Sequence, residues 1–129
     1  MADRNALPWL LVGLSRWIDN HPANANRDPE ALTWGRLAKV AEESGEVISA
    51  WIGATGQNPR KGITGSREAV RRELLDVATT ALAAVEHLDG HAGRSLDALA
   101  EHVLSVAARA RLADVVLVVD AGVPEVGRD

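Results

Sequence analysis

Four carboxylates in two pairs are the residues of this chain best placed to do chemistry. Glu43 and Glu46 stand three residues apart, and Glu73 and Asp76 repeat that spacing downstream. In an α-helix, residues three apart project from one side of the helix, one turn from each other. Carboxylate oxygens, with neither histidine nor cysteine among them, are the ligands that Mg²⁺ and Mn²⁺ prefer. The two pairs therefore predict a site for a divalent cation.

Both acid pairs border an apolar stripe on the helix that carries them. Helix phase places one stripe about 40° beyond Glu43 and a matching stripe beside Glu73, whereas ordinary solubilising charges would lie on the opposite face. We expect the two helices to pack through these stripes, so that the acids meet at one rim. The first stripe contains Leu37, Val40, Ser44, Val47, Ile48 and Trp51, and the second contains Val70, Leu74, Val77, Ala78, Ala81 and Val85.

The elements that must position these acids are helices. Apolar residues at helical spacing and terminal capping residues predict an all-α, four-helix bundle in a single domain over residues 1–129, and we expect oligomerisation to complete it. The run Val115 to Val119 is ambiguous between helix and strand; we expect helix for part of it and disorder over 122–129. The four helices are predicted from Ala6 to Asp19, from Pro29 to Trp51 or Ile52, from Ser66 to Leu88 or Asp89, and from Ser95 onward.

Composition excludes several classes of protein. The 129 residues include no cysteine, so disulfide frameworks and thiolate zinc sites are impossible. A net charge of -4 gives no general attraction for nucleic acid or anionic membranes. No apolar run approaches the roughly 20 residues of a membrane span. The segment from Arg4 to Ala25 loosely imitates a signal peptide, but Asp3, Arg16 and Asp19 oppose that interpretation, so we expect a cytoplasmic protein.

Cations beside the acids are candidates for binding phosphate. Lys39 lies about 40° from Glu43 by helix phase, so its ammonium can reach the acids or a phosphate. Arg60 and Lys61 follow Asn58 in a glycine-rich loop between the acidic helices. These three loop residues suit a polyphosphate substrate, although solvated loop charges explain the two cations equally well.

Trp34 and Trp51 are candidates for stacking on a nucleotide base, while the commoner role of a large apolar residue on a helix is core packing. His87 and His91 have the i,i+4 spacing of some zinc ligands. A predicted helix end lies between them, and the sequence offers no evident third ligand. We therefore expect surface roles for both, as for His21 and His102.

The acid pattern resembles a family motif. Glu42-Glu43-Ser44-Gly45-Glu46, followed after 26 intervening residues by Glu73-Leu74-Leu75-Asp76, is similar to the motif of the MazG-like, all-α nucleoside triphosphate pyrophosphohydrolases. The resemblance covers approximately residues 34–88. Acids at i,i+3 are common on helices, so neither half of the motif is specific alone; both halves in order at this separation form a stronger signal.

The resemblance implies Mg²⁺-dependent hydrolysis of a nucleoside triphosphate to a monophosphate and pyrophosphate, with Mn²⁺ as a substitute ion. It assigns the four acids as metal ligands and Glu42 as a catalytic residue that supports them or orients the attacking water. Lys39, as a second catalytic candidate, would hold phosphate together with the loop cations. Members of the family are usually homodimers or homotetramers, in which neighbouring chains complete the base pocket.

Three alternatives remain open. A phosphoribosyl-ATP pyrophosphohydrolase or a dUTPase-like enzyme would use the same metal chemistry with a different base and sugar pocket. A non-catalytic helical oligomer would bind nucleotide or metal without turnover. A di-iron carboxylate bundle is the weakest alternative, because no glutamate of this chain has histidine three residues after it.

Overall fold

The computed structural model describes residues 3–110 as helices joined by turns. A 3₁₀ turn, Arg4–Ala6, leads into four α-helices: α1 (Leu7–Asn20), α2 (Pro29–Thr55), α3 (Arg67–Leu88) and α4 (Ser95–Arg109). All four predicted helices are confirmed, with bounds that differ by up to four residues. The predictions for residues 113–119 and 122–129 lie outside the described part of the chain.

Local capping chemistry explains where the helices begin and end. The Asp28 side chain accepts hydrogen bonds from two backbone amides in the first turn of α2, and Ser66 does the same for one amide of α3. At the other end of α2, Gly56 adopts the left-handed conformation with φ +66°, and a Cβ there would meet Ile63 at 2.9 Å. Glycine is therefore required where α2 ends.

Helices α1 and α2 both pack against α3, and contacts show that α2 runs antiparallel to it. Arg36 near the start of α2 bonds to Ala83 late in α3, whereas Glu43 lies beside Glu73 and Asp76 farther back along α3. Helix α1 covers only the C-terminal part of α3. The acidic motif therefore lies on the α2–α3 pair, along the stretch that α1 leaves uncovered.

The packing stripe of α2 differs from the predicted one. Its two buried residues are Arg36 and Glu43, and Val40 and Val47 are half-buried on the same side. The acid Glu43 thus lies on the interface stripe itself and not beside it. Several residues of the two predicted apolar stripes are instead exposed in the single chain: Leu37, Ser44, Ile48 and Trp51 on α2, and Leu74 and Ala78 on α3.

The fully buried apolar core of the described residues is small and consists of Leu11, Val12, Ala83 and Ala84. From Leu96 onward, helix α4 belongs to a second compact unit, and its Leu99, Val103 and Leu104 are exposed. Within residues 3–110, no helix has an apolar stretch long enough to cross a membrane.

Candidate functional site

The packing of α2 on α3 brings together acids from both motif halves. Carboxylate oxygens of Glu43, Glu73 and Asp76 all lie within 4.8 Å of one another. Glu43 is only 9% exposed, Glu73 is half-buried and Asp76 is open to solvent. The cluster therefore has a buried floor and an open side, which is the arrangement that an ion entering from water requires. We call these three residues with Glu46 the acid cluster.

Neighbouring acids of the cluster shift the pKa of Glu46. The charge of Glu43, together with some desolvation and the charge of Glu73, raises the pKa of Glu46 above its ordinary value. The carboxylates thus repel one another, and a proton on Glu46 relieves that repulsion. A cation bound among the oxygens would relieve it in the same way.

Lys39 is the cation that balances part of this charge. Its ammonium lies 2.8 Å from a carboxylate oxygen of Glu42 and 3.0 Å from one of Glu43. These hydrogen bonds raise the pKa of Lys39, so the side chain remains charged at neutral pH. Glu42 itself is exposed and points to Lys39, and it is not among the three acids that meet; its role in orienting water stays a prediction.

A cavity of about 380 Å³ lies beside the acid cluster. Lys39 lines the cavity and also bonds to Glu43, so the two features are adjacent. Its walls combine the apolar side chains of Trp17, Ile18 and Leu32 with the polar groups of Asn24, Arg27, Arg36 and Thr80. This volume is in the range of pockets that bind small organic molecules.

Two of the three loop candidates line a different, smaller cavity of about 190 Å³. Asn58 and Lys61 line it with Ser49, which lies one helical turn after Glu46 on α2. The Asn58 side chain accepts a hydrogen bond from the Arg60 amide at 3.1 Å and so shapes the turn. The structure therefore gives Asn58 a local structural function, while the side chains of Arg60 and Lys61 are exposed.

The two tryptophans proposed for base stacking lie elsewhere. Trp34 is 67% exposed and does not line the larger cavity, and neither does Trp51, whose ring lies 5.5 Å from the guanidinium carbon of Arg67. Trp17, which the sequence did not single out, is the tryptophan at that cavity. Stacking by Trp34 or Trp51 stays a prediction.

A buried cluster of polar residues was missed from the sequence. Arg36, only 5% exposed, donates to the backbone oxygen of Ser15, the hydroxyl of Ser15, the carboxylate of Asp19 and the backbone oxygen of Ala83, at 2.8–3.0 Å. These bonds join α1, α2 and α3 through one guanidinium. The sequence offers one indication of this cluster, because Arg36 lies on the same helical stripe as Val40 and Val47.

Two histidines meet the same aspartate, which corrects the expectation of surface roles for them. His87 Nδ1 lies 2.6 Å and His91 Nε2 lies 3.3 Å from Asp19 Oδ2. Their side chains are 14% and 18% exposed. Asp19 comes from α1, 68 residues before His87, so no local spacing reveals it. The surface prediction is confirmed for His21 and His102, which are exposed.

Glu86 anchors the turn that carries His91. Its buried carboxylate accepts hydrogen bonds from the amides of Gly93, at 2.9 Å, and Ser95, at 2.8 Å. Burial raises the pKa of Glu86, but the donors of Ser95 and Gly93 and the nearby His91 lower it more, so the net pKa is below its ordinary value. Glu86 therefore stays ionised and holds the turn in place.

Comparison with known proteins found no family model, no curated protein and no solved structure that matches this chain.

Proposed function

We propose that the protein is a Mg²⁺-dependent nucleoside triphosphate pyrophosphohydrolase of the MazG-like, all-α type. The observation that carries the proposal is the meeting of Glu43, Glu73 and Asp76 within 4.8 Å. These acids come from both halves of the motif and from different helices, 30 residues or more apart in sequence. In the reaction, water is added across the anhydride between the α- and β-phosphates, which gives a nucleoside monophosphate and pyrophosphate.

The acid cluster fits Mg²⁺ or Mn²⁺ by its chemistry. Its donors are all carboxylate oxygens, and their mutual repulsion, seen in the raised pKa of Glu46, favours a cation among them. When bound, the ion would polarise phosphate oxygens and neutralise charge on the triphosphate. Glu43, Glu46, Glu73 and Asp76 would hold it.

Side chains around the cluster suit the rest of such a substrate. Lys39, charged and at the border between cluster and cavity, is placed to exchange its carboxylate partners for a phosphate. The adjacent cavity, with Trp17 as an aromatic wall, has room for a base or a ribose. Arg60 and Lys61 remain candidates for the terminal phosphates. Excess negative charge on a triphosphate makes these cations useful, whereas a simple metal site has no need of them.

The sharpest test is pyrophosphate release from a panel of canonical and modified NTPs and dNTPs with Mg²⁺ or Mn²⁺. We expect metal-dependent release by the wild type and a loss of at least about 100-fold in Glu46→Gln and Asp76→Asn, because each removes a ligand charge. Glu68→Gln is the matched control: an exposed acid on α3, paired with Arg71 at 3.4 Å and outside the cluster.

Circular dichroism of each variant establishes that the fold survives. No release at high enzyme concentration, or equal rates in wild type, Glu46→Gln and Asp76→Asn, would contradict the enzymatic proposal. Nucleotide or metal binding without turnover would then favour the non-catalytic oligomer.

We propose further that a second copy of the chain, in a homodimer or homotetramer, covers the exposed apolar residues of α2 and α3. Residues 3–110 bury four apolar residues yet expose Leu37, Ile48 and Leu74, and a second copy that covers these side chains would add the apolar burial that so small a core lacks. Sedimentation at micromolar concentration should show an oligomer, which Ile48→Lys combined with Leu74→Lys dissociates.

Ile63→Lys is the control for this test, because Ile63 is equally apolar and more exposed, but lies in the loop after α2. Dissociation by the loop variant as well, or a wild-type monomer, would refute the assignment of the interface to the helical face.

A further inference from the structure

We propose that Asp19, His87 and His91 form a second metal site, chemically distinct from the acid cluster, that takes a divalent transition ion such as Zn²⁺. We call these three residues the Asp–His cluster. The inference does not rest on the proposed enzymatic function. One donor atom of each residue lies within 4.8 Å of the other two. Two imidazole nitrogens and one carboxylate are a donor set that suits Zn²⁺ and related ions better than Mg²⁺.

Hydrogen bonding outside the cluster leaves His87 Nδ1 directed toward Asp19. The Thr33 hydroxyl donates its proton to the Pro29 backbone oxygen at 3.0 Å. Thr33 Oγ1 is then free to accept a hydrogen bond from His87 Nε2, 2.9 Å away. His87 Nδ1 lies 2.6 Å from Asp19 Oδ2 and is the nitrogen placed to bind an ion together with that carboxylate.

His91 lies beside the same aspartate. Ser15 Oγ accepts a hydrogen bond from Arg36 at 3.0 Å and lies 3.1 Å from His91 Nε2, which is 3.3 Å from Asp19 Oδ2. Because Nε2 has one in-plane position for a proton or an ion, an ion bound there would replace the bond to Ser15, whose oxygen keeps Arg36 as its partner. Ligand atoms around tetrahedral zinc are separated by about 3.3 Å, given metal–ligand distances near 2.0–2.1 Å. The Asp19–His91 pair has that spacing, whereas His87 Nδ1, 2.6 Å from Asp19 Oδ2, must move farther from that oxygen to reach it.

The backbone supports the same conclusion. His91 has φ +63°, and among residues 3–110 it is the one non-glycine residue in the left-handed region. Such a conformation is costly for a non-glycine residue and persists where surrounding structure imposes it. Here the Glu86 backbone oxygen accepts from the His91 amide at 2.7 Å, and the Glu86 carboxylate fixes the turn beyond it. The fold thus keeps an imidazole at position 91, although glycine would adopt this backbone conformation at a lower cost in free energy.

The charges around the cluster permit a cation. Asp19 uses its other oxygen, Oδ1, to bind Arg36 of α2 at 3.0 Å, so Oδ2 remains directed at the histidines. Glu86 of α3 places a further negative charge near His91, which offsets the guanidinium. Each ligand also has a partner that orients it: Arg36 for Asp19, Thr33 for His87 and the Glu86-anchored turn for His91.

The test is calorimetric titration of the full chain, without a histidine tag, with Zn²⁺ in the presence of millimolar Mg²⁺ that occupies the carboxylates. Co²⁺ in place of Zn²⁺ reports nitrogen ligation through its visible absorption bands. We expect one ion per chain, and a Kd raised about 100-fold in His91→Asn and His87→Gln. Asparagine tolerates the left-handed backbone at position 91, so that variant keeps the turn.

Thr33→Val should raise Kd about tenfold, because it removes the partner that orients His87. His21→Gln, an exposed histidine outside the cluster, and Asp76→Asn, in the acid cluster, should leave Zn²⁺ affinity unchanged. If the wild type binds no Zn²⁺, or if His91→Asn and His87→Gln bind it as the wild type does, the proposal is overturned. The cluster is then a hydrogen-bond network that joins α1 to α2 and α3.

Discussion

The acid cluster and the buried cluster around Arg36 lie along the same helix, α3, but differ in how their charges are balanced. Asp76 and His87 are 11 residues apart, about 16 Å along the helix axis. Helices α1, α2 and α3 meet around His87, where the charges of Asp19 and Arg36 are paired with each other. Around Asp76 only α2 and α3 are present, and Lys39 balances part of the negative charge.

This difference separates stability from binding. A buried charge whose partners are all in place joins the helices, and removing one partner leaves the others desolvated and unpaired. An open cluster of like charges costs stability and is useful only when a ligand compensates it. We therefore expect variants in the buried cluster to lose stability and variants in the acid cluster to lose ligand binding.

The largest expected effect is at Arg36. Arg36→Met keeps most of the side-chain volume but leaves Asp19, Ser15 and the Ala83 backbone oxygen without their donor. We expect a loss of about 3–5 kcal/mol in the free energy of unfolding, measured by urea denaturation. Arg71→Met, which removes an exposed ion pair with Glu68, should cost roughly 0–1 kcal/mol. Similar losses in the two variants would remove the distinction between the clusters.

A smaller effect is expected at Asp76, and it depends on metal. Without Mg²⁺, Asp76→Asn should change the unfolding free energy by no more than about 0.5 kcal/mol, because the side chain is exposed. With Mg²⁺ at ten times its Kd, the wild type should gain about 1.4 kcal/mol and the variant much less. Thermal melts with and without Mg²⁺ measure both quantities. A large metal-free loss would instead assign Asp76 a structural role.

The smallest effect is a difference in pH dependence between two glutamates. The pKa of Glu86 is lowered on folding, so its contribution to stability is present above pH 4.5, its unfolded pKa, and is lost as pH falls through the folded pKa. The pKa of Glu46 is raised, so its contribution is present below pH 4.5 and is lost as pH rises through the folded pKa.

Urea denaturation between about pH 3 and about pH 7, without Mg²⁺, tests this difference in sign, because the range includes the unfolded pKa of 4.5. Glu86→Gln should lower stability by about 1 kcal/mol at neutral pH, since neutral hydrogen bonds replace charge-assisted ones. Glu46→Gln should remove the decline above pH 4.5. The same pH profile in both variants would contradict the assignment of opposite shifts.

The sequence was a good guide to the helices and to the acids. Asp28 and Ser66 fixed helix starts through bonds to residues two or three positions away, and the i,i+3 spacing of each acid pair follows from helix geometry. The face that α2 turns inward was predicted incorrectly, since Leu37 and Ile48 are exposed and Glu43 is buried. Hydrophobicity alone favours a neighbouring face that shares Val40 and Val47 with the interface but extends toward Leu37 and Ile48, and in this chain a salt bridge from Lys39 accompanies the buried acid.

The sequence by itself determined what depends on near neighbours in the chain: helix ends, the phase of each acid on its helix and the absence of thiol chemistry. Tertiary structure alone decided which distant groups meet. Asp19 reaches His87 across 68 residues, and Arg36 reaches Ala83 across 47. Such contacts depend on how far α1 extends along α3 and on which faces pack, and both are set by the summed packing of many residues, which no local spacing encodes.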